Sequence, residues 1–500
     1  MPYSSNRQPL DYEPVTRSPR AKDLREGEAV TANDWLPRGE DIAGDEIANR
    51  PSGSTLEEQA LPTSRGVRPE SWIIRRGHAA AYAGLFLFTF VLYFRPYELF
   101  PVLAGFSSMA FWIAILTFAA YLPAQLSLEG NLTARPREVN LLLLFCLTAV
   151  ASIPLAINPG EAYGVFAEYI RPVIIFIVII NVVRTESRLK KLIWLSLAVS
   201  IMVGVGVIND FRLGNFADNR VWGSNNNLFG NPNDIALHLV TMVPFAVALL
   251  FATRRIIPKI LYAMCAFLMV IATVVTFSRG GFLGLVGAGA VLAWKLGRRS
   301  RLAMIMVVFL FVGVFAFAPG GYSSRLGSIF DASKDASGSS SARQYLLTRS
   351  IEVALSHPVF GIGMGNFHIV SIHEQVSHNA YTQVASEMGF AALLLYVLFV
   401  VAPLRRLRSI ERETFVAHHH SRFYYLAIGA QASLVAYMIA SFFAAVAYQY
   451  YIYYLVGYAV CLHRLYQSER SAAQGGDERT AKNPTLSSSS NDSCELSRTF

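Results

Sequence analysis

Long apolar runs alternate with short polar segments over most of the chain. Twelve runs are each close to the length that crosses about 30 Å of hydrocarbon. They lie at residues 78–94, 102–122, 139–157, 165–183, 192–208, 234–253, 259–277, 281–297, 302–318, 385–404, 424–444 and 449–465. None alternates as a barrel strand does, and a helix satisfies its own backbone hydrogen bonds in lipid. The pattern predicts an all-α integral membrane protein with about twelve transmembrane helices.

The chain divides into a membrane domain and two polar flanks. Residues 1–76 are rich in Pro, Gly, Arg and acidic residues, and residues 467–500 contain a serine run, so both are predicted to be disordered tails. The membrane domain spans residues 77–466. Because the first apolar run begins near His78, no secretory signal is predicted.

Basic residues predict which side each loop occupies. Alternate loops carry clusters such as 184–191, 254–259, 295–301 and 405–412. By the positive-inside rule these loops are cytoplasmic, together with both tails. The opposite loops include the long segments 209–233 and 319–386, which are predicted to be periplasmic.

The predicted periplasmic side has a single lysine, Lys334, but several arginines. They are Arg95, Arg212, Arg220, Arg279, Arg325, Arg343 and Arg349. The planar guanidinium binds phosphate or carboxylate through two parallel hydrogen bonds, which favours anion recognition. The alternative is that some of these arginines pair with Asp218, Asp331 or Glu352.

Composition excludes several classes of function. Hydrophobic residues make up 53% of the 500 residues and charged residues only 15%, well below the roughly one quarter of soluble domains. The net charge of +9 is spread over short loops and tails, so nucleic acid is not a predicted partner. The four cysteines show no metal-site or disulfide spacing, and no outer carboxylate cluster suits a divalent cation. No metal and no cofactor are predicted.

Two arginine motifs adjoin predicted helix starts. Arg220 lies near an Asn-Pro turn, after which Asn233 or Asp234 is the predicted N-cap of the sixth helix. Arg279 is followed by two glycines that let a bulky ligand approach the backbone. An arginine at a membrane boundary indicates a site, although it can also extend to the interface without a ligand. Arg171 is predicted either to pair with Glu168 or to contact an anion.

The long outer loop carries two further features. Residues 341–356 are predicted to form an amphipathic helix with Leu347, Ile351 and Leu355 on one face. The following GxGxG run, residues 361–365, does not follow a strand, so a tight backbone turn is favoured over a dinucleotide site.

A polar segment opens the tenth predicted helix. Asn379, Gln383 and Glu387 share one helix face, whereas His378 is about half a turn out of phase with Glu387, which excludes a same-face dyad. A histidine titrates near neutral pH, so His378 is the candidate general base. The alternative is that His378 only helps to begin the helix.

Four ordered stretches resemble the O-antigen ligase and polymerase superfamily. They are RVWGSNNNLFGNPNDIA, TFSRGGFLGL, SHPVFGIGMGNF and SHNAYTQVASEMG, on a framework covering residues 140–465. The resemblance implies a C-type glycosyltransferase-like helical fold. It also implies transfer of a glycan from a polyprenyl pyrophosphate carrier, without a nucleotide sugar, on the outer face of the bacterial inner membrane. Ala392 stands where the family often has glycine.

Residues and resemblance together predict a metal-independent, inverting glycan transferase. His378 would be the base, Arg220, Arg279, Arg343 and Arg349 would bind the donor, and Asn379, Glu387 and Arg171 would support them. The partners would be a lipid-linked glycan, an acceptor such as lipid A core, and membrane lipids. A polymerase joining repeat units is the first alternative. A transporter, which would need charges or broken helices near the bilayer midplane, is a more distant one.

Overall fold

A computed structural model describes residues 78–99, 108–217, 220–221, 231–316, 339–417 and 422–482, together with Leu103 and Gly105. The predicted tail 1–76 and the first part of the predicted outer loop, 319–338, lie outside the described residues.

Twelve helices in the described residues coincide with the twelve predicted runs. They are α1 (Ala79–Phe94), α2 (Met109–Glu129), α3 (Arg137–Ser152), α4 (Pro159–Val182), α5 (Glu186–Leu213), α6 (Pro232–Ala252), α7 (Ile256–Val275), α8 (Arg279–Gly297), α9 (Arg301–Ala316), α10 (Ala380–Ala417), α11 (Arg422–Ala440) and α12 (Tyr450–Lys482). Within the described residues, nine helices are long and apolar enough to cross a membrane, and α1 and the first part of α9 are shorter apolar helices. The prediction of an all-α integral membrane protein is confirmed.

Short elements connect these helices. The outer helix Ser339–Ser356 precedes α10, and the one-turn helices Pro96–Leu99 and Phe367–Val370 lie in loops. In the described part of the chain, 3₁₀ turns occupy Ile153–Leu155, Ile372–Glu374 and Ser441–Phe443. A small hairpin pairs β1 (Phe216–Ala217) with β2 (Arg220–Val221).

Several helix boundaries differ from the predicted ones, among them those of α2 and of the last helix. The second helix begins at Met109 rather than at 102 and runs on to Glu129, where Gly130 ends it in a left-handed conformation. Its carboxyl end is held there because Glu129 pairs with Arg184. The last helix continues to Lys482, into the segment predicted to be a disordered tail. Arg470, in this extension, pairs with Glu413 of α10 at 2.6 Å.

The centre of the bundle is α6. Of its best membrane-crossing window, 83% is buried inside the protein, against 17% for α2 at the periphery. Because α6 is surrounded by other helices, its sequence carries apolar residues on every face. Residues at its amino end are therefore held by several neighbouring helices.

Ion pairs gather at the end of the bundle that carries the basic loops. Lys295 of α8 pairs with Glu411 of α10, with both side chains under 10% exposed, and Arg406 of α10 pairs with Glu138 of α3 at 2.8 Å. The opposite end, called the outer end below, holds the predicted site residues. The assignment of this end to the periplasm stays a prediction.

Candidate functional site

The amino-terminal ends of α6 and α8 are joined at the outer end. Asn231 caps α6, since its side-chain oxygen accepts the Asn233 backbone N–H at 2.9 Å. The predicted caps Asn233 and Asp234 are wrong, because Pro232 occupies the first helical position and the cap must precede it. Asn233 instead accepts the Ser278 hydroxyl at 2.9 Å.

Arg279 occupies the first position of α8. Ser278 caps this helix by accepting the Gly281 N–H at 3.2 Å. Arg279 is only 9% exposed, so its guanidinium is withdrawn from solvent beside a helix amino terminus. A Cβ on Gly281 would lie 2.5 Å from Ala236, which shows that α6 and α8 touch here. Both a cation and the positive ends of two helix dipoles favour an anion at this point.

The start of α10 adjoins the same region. The 3₁₀ turn 441–443 is contacted by α8, where a Cβ on Gly280 would lie 2.7 Å from the Phe443 Cβ. On its other side Tyr381 of α10 donates to the Met438 carbonyl at 2.9 Å and packs on Phe442. The structure therefore brings the Arg279 motif and the polar opening of α10 to two sides of one short turn.

Left-handed backbone marks the entry to both helices. His378 has φ 52° and immediately precedes the cap of α10, and Phe277 has φ 55° and immediately precedes the cap of α8. Non-glycine residues rarely adopt this conformation, and where they do the surrounding structure often holds a functional group in place. His378 is half-buried at this bend.

Asn379 and Gln383 leave polar atoms unused on one buried face. The Asn379 side-chain oxygen caps α10 by accepting the backbone N–H groups of Tyr381 at 2.9 Å and Thr382 at 3.1 Å. Its Nδ2 amide and the Gln383 Oε1 oxygen are buried without a hydrogen-bond partner in the described part of the chain. Such groups cost free energy unless a ligand or water satisfies them. They offer one donor and one acceptor at the start of α10.

Glu387 holds a glycine-rich clasp, formed by residues 357–367, against α10, whose helical backbone is interrupted at Gly389. The Glu387 carboxylate accepts the Gly365 N–H at 2.9 Å and the Tyr448 hydroxyl at 2.8 Å, and also the Phe367 N–H. Burial raises the pKa of the Tyr448 phenol well above its ordinary value, and the adjacent Glu387 carboxylate raises it further. Tyr448 therefore remains protonated and donates. The Glu387 carboxylate thus bonds to the clasp and to Tyr448.

The GxGxG run in this clasp is a backbone turn, as predicted. Gly361, Gly363 and Gly365 all have positive φ. A Cβ on Gly361 would lie 2.2 Å from the Glu387 carbonyl carbon, so no larger residue fits. Ile157 donates its N–H to the Ile362 carbonyl at 3.0 Å, which fastens the clasp to the turn between α3 and α4.

The outer helix packs with a different face from the predicted one. Leu346 and Val353 are buried against Ile362 and Phe367 of the clasp. Ile351 and Leu355, on the predicted apolar face, are 44% and 65% exposed. The reason is that the clasp supplies the apolar partners of this helix, and those partners lie on the side of Leu346.

The remaining predicted arginines are spread over the outer end. Arg349 donates its Nε–H to the Val370 carbonyl at 3.2 Å and pairs with Glu352. It thus links the outer helix to the segment after the clasp. Arg343 lies on the same outer helix. Arg220 begins β2, and its side chain lies outside the described atoms. Arg171 and Glu168 are both exposed, which excludes a buried pair, one of the two alternatives for Arg171.

Tyr448 is a residue of the candidate site that was not predicted from the sequence. Its only signal is a polar position in the break between the last two helices, which the structure places at residues 444–449. His368, by contrast, is a visible outer histidine, and it contacts the Gly365 carbonyl at 2.9 Å and Glu161 at 3.3 Å. Both side chains stabilise the clasp.

Residues 264–397 match the family model described as O-antigen ligase. The chain contains an O-antigen ligase domain. The matched segment runs from α7 to the middle of α10, so it includes Arg279, the clasp and His378. The resemblance to the O-antigen ligase superfamily is confirmed. The matched segment is therefore of the glycan ligase and polymerase type, and the long apolar helices indicate a multi-pass membrane protein. No curated protein is significantly similar to the chain.

Proposed function

We propose that the protein transfers a glycan from a polyprenyl pyrophosphate carrier to an acceptor hydroxyl on the periplasmic face of the inner membrane. The observation that supports this most is the buried Arg279, in the first turn of α8, across the turn 441–443 from the start of α10. A lipid A core acceptor makes the reaction a ligation, and a second repeat unit makes it a polymerisation.

The proposed reaction uses this arrangement directly. The acceptor oxygen attacks the anomeric carbon as the bond from that carbon to the pyrophosphate oxygen breaks, which inverts the configuration. His378 takes the acceptor proton, and the carrier leaves as its pyrophosphate. Arg279 and the helix termini stabilise the charge that develops on the leaving group. Asn379 and Gln383 would bind sugar hydroxyls through their unused polar atoms.

An apolar groove between the helices supports the proposal that the donor carries an isoprenoid tail. A cavity of about 690 Å³ lies between α5, α6, α7 and α9, with walls that include Ile208, Phe211, Leu250 and Phe267. At its outer end the Phe211 ring packs against Phe277 at 6.1 Å between centroids. Phe277 lies two residues before Arg279. A prenyl tail in this groove would therefore bring its pyrophosphate towards that arginine.

Histidine substitutions test the base assignment. In vesicles supplied with lipid-linked donor and acceptor, His378→Ala should lower the transfer rate by at least about 100-fold, as expected for loss of a general base. His373→Ala is the matched control, because His373 has the same φ of 52° but is exposed. The control should stay close to wild type. Equal activity of the two variants would show that His378 is not the base.

Arg279→Lys tests the pyrophosphate contact. Lysine keeps the charge but loses the two parallel hydrogen bonds, so donor KM should rise or kcat should fall by at least tenfold. Arg255→Lys, at the opposite end of the bundle, should leave both constants unchanged. Wild-type kinetics in Arg279→Lys would remove the main support for a pyrophosphate site.

A further inference from the structure

A second cavity opens between α1, α2 and α4. It shares no lining residue with the apolar groove between α5, α6, α7 and α9. Its volume is about 910 Å³, and Leu92, Phe111, Ile115 and Ile174 contribute to its apolar wall. One side is formed by α2, the least buried of the long apolar helices. The cavity therefore faces the surrounding lipid rather than the bundle core.

Arg171 contributes a cation to this cavity. Its guanidinium lies 6.0 Å from the centroid of the Phe111 ring. It is exposed and makes no ion pair or hydrogen bond with the described part of the chain. Because Phe111 is in the first turn of α2, the Arg171 guanidinium lies close to the outer start of that helix. A charge in such a place is costly unless a ligand offsets it.

A second arginine and a phenol complete the polar mouth. Arg95, directly after α1, and Tyr450, the first residue of α12, also line the cavity. Arg171 and Arg95 both lie within electrostatic range of the Tyr450 phenol, as does Glu168. Asp234 lies beyond, in range of Tyr451 together with Arg95. Two guanidinium groups and one hydroxyl thus line this otherwise largely apolar cavity, with the Glu168 carboxylate nearby.

We propose that this cavity binds the phosphate headgroup of an anionic membrane lipid. Arg171 and Arg95 would bind the phosphate oxygens, the Tyr450 hydroxyl would donate to one of them, and an acyl chain would lie along Phe111 and Ile115. Guanidinium groups recognise phosphate in this way, and the apolar wall is continuous with the surface that α2 presents to lipid. The proposal does not rest on glycan transfer.

Lipid binding to the purified protein tests the proposal. Native mass spectrometry of the detergent-solubilised chain, titrated with phosphatidylglycerol or phosphatidylcholine, should show at least tenfold tighter binding of the anionic lipid. Arg171→Gln and Arg95→Gln should each remove most of that preference. Arg212→Gln is the matched control, since Arg212 is an exposed outer arginine of α5 that does not line the cavity. It should bind as the wild type does.

Three results of this experiment would overturn the lipid proposal. Equal binding of the two lipids by the wild type would overturn the proposal without any variant. A preference that survives in folded Arg171→Gln would overturn it as well. Inorganic phosphate at millimolar concentration should compete weakly, because it lacks the chain. Displacement of the lipid by equimolar phosphate would point to a soluble anion and would also overturn the lipid assignment.

Discussion

Gly389→Ala should destabilise the protein more than an ordinary glycine substitution in a helix. Gly389 has φ 84° and ψ 178°, a conformation that is essentially restricted to glycine. A Cβ there would lie 2.3 Å from the Val359 carbonyl oxygen. In the same segment of the clasp, the Pro358 carbonyl accepts the Phe390 N–H at 2.8 Å. Backbone strain, overpacking and the weakened hydrogen bond together predict a loss of about 3–6 kcal/mol.

Gly206→Ala is the matched control for this prediction. Gly206 is helical, within α5, and a Cβ there would have no atom within 4 Å. Alanine should leave the stability unchanged or raise it by up to about 1 kcal/mol, because it favours the helix. The free energy of unfolding of both variants would be measured in the same micelles by denaturant titration. A Gly389→Ala protein within about 1 kcal/mol of wild type, relative to that control, would refute the steric account of the clasp.

Three further predictions concern other parts of the molecule. Tyr448→Phe removes a 2.8 Å hydrogen bond to the clasp carboxylate and should cost about 1–3 kcal/mol of unfolding free energy; an unchanged value would mean that the bond adds nothing. Lys295→Met leaves the buried Glu411 carboxylate uncompensated and should cost about 3–5 kcal/mol, whereas replacing both partners by apolar residues should cost less. An impermeant maleimide applied to intact spheroplasts should label Ser356→Cys and not Lys190→Cys; the reverse result would invert the topology.

The helices could be predicted from the sequence because lipid demands long apolar runs, and every predicted run is matched by a helix in the described residues. The runs 424–444 and 449–465 are separated only by a short gap, and the structure places the break between the last two helices at residues 444–449. Boundaries depend on local contacts instead: α2 is shifted because Gly130 and the Glu129–Arg184 pair set its end, and α6 begins earlier because Pro232 follows its cap.

The site was only partly predictable. The sequence indicates Arg279 and the polar opening of α10, since charges beside apolar helices are unusual. The proximity of these two segments depends on the turn 441–443, and Glu387 depends on Gly365 and Tyr448 for its partners. These are contacts between residues far apart in the chain, and periodicity carries no information about them. The glycines of residues 361–365 predicted a tight turn, but not that this turn packs against α10.

Reconstitution from purified parts tests the central claim most directly. The protein in liposomes would receive a polyprenyl pyrophosphate-linked glycan and a hydroxyl acceptor, with no nucleotide sugar, and both products would be followed. We predict one carrier pyrophosphate released for each glycan transferred, with NMR showing inverted anomeric configuration at the new linkage. Transfer that requires a nucleotide sugar, or a linkage with retained configuration, would contradict the account.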